Sequence, residues 1–139
     1  MKTITIKKGT ILQRKGDFHS KVYLVENGLL RSYIIDESGK EHIYMFGPEN
    51  WIVADSSEPN SPCQLFIVAI EETTIKVISK EESLKGSPDL NALFRRINTM
   101  QNRILMLMSS NAKERYEHFI KTYPDITQRV PLKMVASYL

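Results

Sequence analysis

The chain has 139 residues, 42% apolar and 25% charged, with a formal net charge of +3. That length supports one domain with a real core and an appendage, and the composition is ordinary for a globular protein. No apolar run approaches the ~18 residues of a membrane span, Met1-Lys2-Thr3-Ile4 is no signal peptide, and the lone Cys63 excludes an internal disulfide. The expectation is a cytoplasmic protein with no membrane partner.

Residues 2 to 79 read as short strands separated by turns. Thr3–Ile6 alternates, Lys8-Gly9 turns, and Ile11–Gln13 is brief before a second turn at Arg14–Asp17. Val22–Val25 and Leu29–Ile35 flank Glu26-Asn27-Gly28, where Asn-Gly predicts a hairpin. After the turn Asp36–Lys40 come His42–Phe46, then Trp51–Ala54, a polar loop at residues 55 to 62, Leu65–Ile70 and Thr74–Ile78. Some eight short strands at regular spacing predict a sandwich or jelly-roll-like barrel.

The period then changes from two to that of a helix. Ser87-Pro88 is expected to open a helix reaching about Ser110. Leu90, Leu93, Ile97, Met100, Ile104 and Leu107 recur at alternating spacings of 3 and 4, the pattern of a coiled-coil seam. Phe94, Leu105 and Met108 form a second stripe, so one face is expected on the barrel and the other on a partner helix; a single wide core-facing stripe is the competing reading. Ala112 to Thr122 is a further helix, with Tyr116, Phe119 and Ile120 on one side and Tyr123-Pro124 ending it.

The last stretch reads as a helix with Pro131 at its first position and a stripe at Leu132, Val135, Ala136 and Leu139. It resembles the opening helix of a helix-turn-helix, stopping before the turn and the recognition helix. The expectation is therefore a truncated DNA-binding domain and an incomplete stretch of a longer protein. Residues 1 to 89 carry 11 Lys/Arg against 13 Asp/Glu, and residues 90 to 139 carry 8 against 3. The basic excess thus falls on the helical part, which fits a nucleic-acid partner or a solvated face.

Lys8-Gly9 through Lys15-Gly16, Tyr23-Leu24-Val25-Glu26-Asn27-Gly28-Leu29-Leu30-Arg31, Asp36-Glu37-Ser38-Gly39-Lys40-Glu41, Phe46-Gly47-Pro48, Ala69-Ile70-Glu71-Glu72-Thr73 and the segment from Glu114 to Leu139 occur in a telling order. In that order and spacing the chain resembles the Crp/Fnr family of bacterial transcription regulators. The resemblance implies an α+β chain. Residues 1–86 would be a cyclic-nucleotide-binding-like β-roll (a double-stranded β-helix, jelly-roll-like), 87–110 a dimerisation helix, and 111–139 the first helices of an incomplete winged helix-turn-helix. A homodimer through Leu90, Leu93, Ile97, Met100, Ile104 and Leu107 follows, with DNA bound by the C-terminal domain of the full-length protein. One departure is that residue 2 is already strand-like where members begin with a short helix.

In nucleotide-binding relatives a Gly-Glu-Leu stretch and an Arg-Ser/Thr-Ala stretch hold the cyclic phosphate and ribose, since a helix N-terminus plus Arg makes an anion site. Here Val53 and Ala54 fall where Gly and Glu would be, and Cys63 and Gln64 where Arg and Ser/Thr would be. Loss of the Arg alone weakens binding by about 10- to 150-fold. The pocket is expected not to take cAMP or cGMP in the usual way. Trp51, Val53, Ala54, Cys63, Gln64 and Phe66 remain the candidate lining for an unidentified small-molecule effector. In the competing reading Trp51 and Phe66 are core and Cys63 is a small buried thiol; redox sensing by Cys63 is a further alternative.

His19, His42 and His118 sit on separate elements, which provides neither a zinc framework nor the His-x-His of a cupin enzyme. A haem ligand at His42 or His19, or plain turn histidines, are the readings left open, and one cysteine excludes an iron–sulfur sensor. No catalytic residue, metal or cofactor is expected. Arg115, Lys121, Arg129 and Lys133 are candidate DNA phosphate contacts, giving weak, salt-sensitive binding. A stand-alone β-roll for a small ligand or protein partner is the alternative function.

Overall fold

The computed structural model of this protein describes residues 1–85 and 89–139. The chain divides into two compact units, Met1–Gly86 and Ser87–Leu139. The first holds β1 (Lys2–Ile6), β2 (Ile11–Gln13), β3 (Lys21–Asn27), β4 (Leu30–Ile35), β5 (Glu41–Gly47), β6 (Ile52–Ala54), β7 (Phe66–Ala69), β8 (Thr73–Ser79) and a short helix α1 (Lys80–Leu84). The eight expected strands are all present, and the α+β class holds. Helix α1 was not expected, although Ser79-x-x-Glu82 is a readable capping signal: the Ser79 hydroxyl accepts from the Glu82 N–H at 3.1 Å.

The strands make two antiparallel sheets, ordered β1-β8-β3-β6 and β2-β7-β4-β5. Six of the seven connections cross to the other sheet, and that winding is the roll. Period-two alternation turns one face of each sheet inward. Tyr23, Val25, Val53 and Ile75 meet Leu30, Ile67 and Ala69 in one core, flanked by Ile4, Ile6, Leu12, Met45 and Val77. Each fully buried side chain of this size contributes roughly 1.5–3 kcal/mol.

The Asn27-Gly28 hairpin is corrected: β3 pairs with β6 and β8, whereas β4 pairs with β5 and β7. The corner carries the chain between sheets because its polar groups have partners on other elements. The Gly28 N–H donates to Glu49 Oε2 at 2.9 Å, and the Leu29 N–H to Thr73 Oγ1 at 3.1 Å. The true hairpin is β4–β5, where Asp36 Oδ1 accepts from the backbone N–H groups of Ser38 and Lys40 and from the Ser38 hydroxyl.

In the second unit, α2 spans Leu90–Ser109, α3 Ala112–Thr122 and α4 Leu132–Tyr138, with a 3-10 turn at Ile126–Gln128. Asp89 caps α2 by accepting from the Ala92 N–H at 3.0 Å, so α2 starts after its expected opening; Ser87-Pro88 lies outside the described residues. Asn111 caps α3 in the same way through the Glu114 N–H. Phe119, Tyr123, Ile126, Val130, Val135 and Tyr138 form the buried interior of this unit. Phe119, Tyr123 and Tyr138 pack ring on ring at 5.3 to 5.6 Å, at spacings that favour tilted and edge contacts.

Two expectations about α4 are corrected. Pro131 sits one residue earlier, as the N-cap with extended ψ of 149°. The buried face is Val135 and Tyr138, whereas Leu132 is 74% exposed and Ala136 is exposed. The physical reason is the aromatic cluster, which takes Tyr138 and turns Leu132 outward.

Gly28 has φ +111°, and a Cβ there would meet Thr73 Oγ1 at 2.5 Å and Glu72 O at 2.7 Å. Gly28→Ala should therefore lower unfolding free energy by about 2 kcal/mol or more, read as a lower urea midpoint at constant slope. A loss below about 0.5 kcal/mol, the range of neutral surface changes, would contradict this account of the corner.

Candidate functional site

The candidate site is the segment between β6 and β7, residues 55 to 65, together with what holds it. These residues form no helix or strand, so their backbone groups need partners elsewhere. Asp55 supplies several: buried to 4% exposure, it accepts from the N–H groups of Ser57 at 2.8 Å and of Gln64 and Leu65 at 2.9 Å. Burial pushes the Asp55 carboxyl up, but its hydrogen bonds from Ser57, Gln64 and Leu65 outweigh that and hold it below the ordinary carboxylate value.

The far end of the segment is tied to the turn between β2 and β3. The Gly16 N–H donates to Cys63 O at 2.8 Å, the Cys63 N–H to Asp17 O at 2.9 Å, and the His19 N–H to Pro59 O at 2.9 Å. The Cys63 thiol is 2% exposed and donates to Arg14 O at 2.9 Å. Burial pushes that thiol up, the opposite of a reactive thiolate. Beside it, burial and the charges of Asp17 and Cys63 push the Tyr23 phenol up to about 12.

The six candidate pocket residues lie around β6, on the β6–β7 segment and at the start of β7. Val53 is fully buried and belongs to the core; its Cγ2 lies so close over Gly47 that any Cβ there would overlap it. Ala54 is half-buried beside Asp55, and Gln64 is exposed, held through its backbone by the Asp55 carboxylate. Trp51 stands half-buried at the start of β6, its carbonyl accepting from the Val25 N–H at 3.0 Å. Phe66 alternates with the core residue Ile67 on β7 and stacks on Tyr33 at 5.2 Å. The Arg31 guanidinium lies 4.3 Å from the Tyr33 ring centre, a cation–π distance, and pairs with Glu41 at 2.6 Å. Sequence reasoning missed the Asp55 knot, the Tyr33–Phe66 pair and a buried lysine, Lys80. Only Asp55-x-Ser57 carried a local signal, an Asx turn.

In the second unit the six seam residues share one flank of α2, and no residue of that helix is buried. Leu90, Leu93, Ile97, Met100, Ile104 and Leu107 are all exposed, as are Phe94, Leu105 and Met108. Of the candidate phosphate contacts, Arg115 donates from Nη2 to Leu107 O at 3.0 Å, which closes the end of α2. Lys121 and Lys133 are exposed on α3 and α4, and Arg129 follows the 3-10 turn, half-buried. His118 is held below the ordinary histidine value by burial and by the charges of Arg103 and Lys121. His42 pairs with Asp36 at 2.7 Å, and His19 lies 3.9 Å from Glu81. Among the described residues no group of three or more His, Cys, Asp or Glu gathers as a metal site. No helix among them is long and apolar enough to cross a membrane.

Eight short strands wound across two sheets and followed by α1 define a β-roll of the cyclic-nucleotide-binding-domain class. Residues 3–85 match the family described as cyclic nucleotide-binding domain, and the chain belongs to it. It is similar to the anaerobic regulatory protein of Haemophilus influenzae, 30% identical over 123 residues, covering 83% of this chain and 48% of that protein. It is also similar to the transcriptional activator protein Anr of Pseudomonas protegens, 26% identical over 128 residues, covering 83% and 50%. The chain spans about half the length of these curated relatives. A CRP/FNR-family transcriptional regulator of Thermus thermophilus shares the fold with a TM-score of 0.62 at 18% identity, over 81% of this chain and 59% of that one.

Asp55→Asn should lower stability at neutral pH by about 1–3 kcal/mol, as a buried acceptor of several N–H groups is weakened. The depressed folded-state value means Asp55 stabilises the fold above the ordinary carboxylate value of 3.8 and loses that contribution as pH falls below it. Urea midpoints from pH 7 to pH 3 should therefore fall less steeply for the variant; an unchanged acid slope would sink this assignment.

Proposed function

We propose that the chain is the sensor and dimerisation part of a cytoplasmic Crp/Fnr-type transcription regulator whose pocket does not take a cyclic nucleotide in the usual way. The observation that carries this reading is Val53, buried in the core against Gly47 at the position where phosphate-binding relatives have Gly. A backbone covered by a valine side chain cannot approach a phosphate closely. No helix occupies residues 55 to 65 to aim N–H groups at an anion, and Cys63 and Gln64 offer no guanidinium. An unidentified small-molecule effector bound by other chemistry remains compatible with this roll.

The α2 seam supports a homodimer. Six exposed apolar side chains in coiled-coil spacing form the kind of stripe that a second helix covers. In this reading residues 111–139 begin the DNA-binding domain, with Lys121, Arg129 and Lys133 near phosphates and sequence read by a domain that continues beyond them. The part proposed is regulatory, with no catalytic role.

The melting temperature is the test of the pocket. At about 1 mM cAMP or cGMP, a site with a dissociation constant near 10 μM would add about 2.7 kcal/mol, several degrees for a domain of this size. No shift is expected, and a shift of that size would overturn the reading of Val53, Ala54, Cys63 and Gln64. For the dimer, Ile97→Lys with Ile104→Lys should convert the protein from twice its chain mass to one chain mass in sedimentation. Identical masses for variant and parent would rule the seam out.

A further inference from the structure

We infer that Lys80 is a latch joining the β6–β7 segment to α1, so that the two open and close as one unit. Lys80 is the first residue of α1 and is 8% exposed. Its ammonium donates to Ser20 Oγ at 2.7 Å, to the backbone carbonyl of Ser57 and to Ser57 Oγ at 3.2 Å. Those three bonds use all three of its donors. They reach two other elements: Ser57 belongs to the segment, and Ser20 immediately precedes β3.

The chemistry of this contact suits a latch better than a rivet. Lysine is almost never fully buried without an opposite charge, and no carboxylate stands within ion-pair distance of Lys80 among the described salt bridges. A cation at a helix N-terminus also opposes the helix dipole. Closed, the ammonium has three neutral oxygens; open, it has water, which solvates it well. The two states therefore lie closer in free energy than they would with an apolar side chain, and segments that move are drawn from such low-stability regions. The same segment is otherwise knotted internally by Asp55 and pinned to the β2–β3 turn by Cys63 and His19, neither of which touches α1 through the backbone. His19 adds an imidazole 3.9 Å from Glu81 on α1, both exposed, where screening leaves it weak. Lys80 is thus the buried tie from this segment to α1, the last described element before residue 89. In the proposed sensor, on which the purpose of the latch rests, a change felt by residues 55 to 65 is passed to the chain leaving the roll.

Amide hydrogen exchange by NMR tests the latch with no ligand and no DNA, so its failure and that of the sensor reading are separable. The reporters are the N–H groups of Gln64 and Leu65 in the segment and of Glu82 and Lys85 at α1, each hydrogen-bonded in the closed state. Lys80→Met should raise exchange at both sets together, by about 10- to 150-fold for the loss of charge-assisted bonds, while Leu30 and Ile67 in the core stay unchanged. Ser20→Ala, which removes one Lys80 acceptor and a 3.5 Å contact to Ser57 Oγ, should raise both sets in the same direction by a smaller factor. Joint acceleration with a silent core supports the latch. Acceleration of one set alone, of neither, or of core and reporters in equal measure overturns it.

Discussion

Two four-stranded sheets share a single apolar interior, and the rest of the first unit follows from that sharing. Tyr23, Val25, Val53 and Ile75 come from one sheet and Leu30, Ile67 and Ala69 from the other. Because side chains alternate along a strand, a one-residue slip in any of them would exchange the inward set for the outward set. The interior therefore dictates register, and register dictates where each connection must cross. Gly47 has no side chain because Val53 fills its space, and Gly28 has none because Thr73 does.

The same filling shapes the functional reading. Val53 sits in the shared core over Gly47, and the polar groups of residues 55 to 65 turn to one another and to their neighbours. Asp55 gathers three N–H groups, Cys63 bonds the β2–β3 turn, and Lys80 reaches in from α1. Hydrogen-bonding capacity is used within the fold, which is why the segment is held without a helix.

The two units differ in how they satisfy their apolar side chains. The roll hides its own. Among its described residues the second unit buries the cluster of Phe119, Tyr123, Ile126, Val130, Val135 and Tyr138, and leaves α2 with no buried residue. Arg103 and Arg115 tie α2 to its neighbours through backbone oxygens, Tyr138 O at 3.1 Å and Leu107 O at 3.0 Å. The seam positions of α2 are thus exposed, while its carbonyl at Leu107 and its Arg103 side chain are bonded.

The eight strands, the long helix and α3 were legible from local pattern, because periods of 2 and 3.6 are imposed residue by residue by which face is buried. By itself the sequence determined the elements and their order. It did not decide what each turn joins: Asn27-Gly28 has hairpin chemistry, yet Glu49 and Thr73, which hold that corner, lie 21 and 44 residues from the groups they bind. Nor did it place Tyr138 inside and Leu132 outside on α4, a choice made by the rings of Phe119 and Tyr123. The burial of Asp55 and Lys80 was likewise decided only in the tertiary structure, because a charged side chain enters the interior when partners from distant strands and loops are already there to receive it.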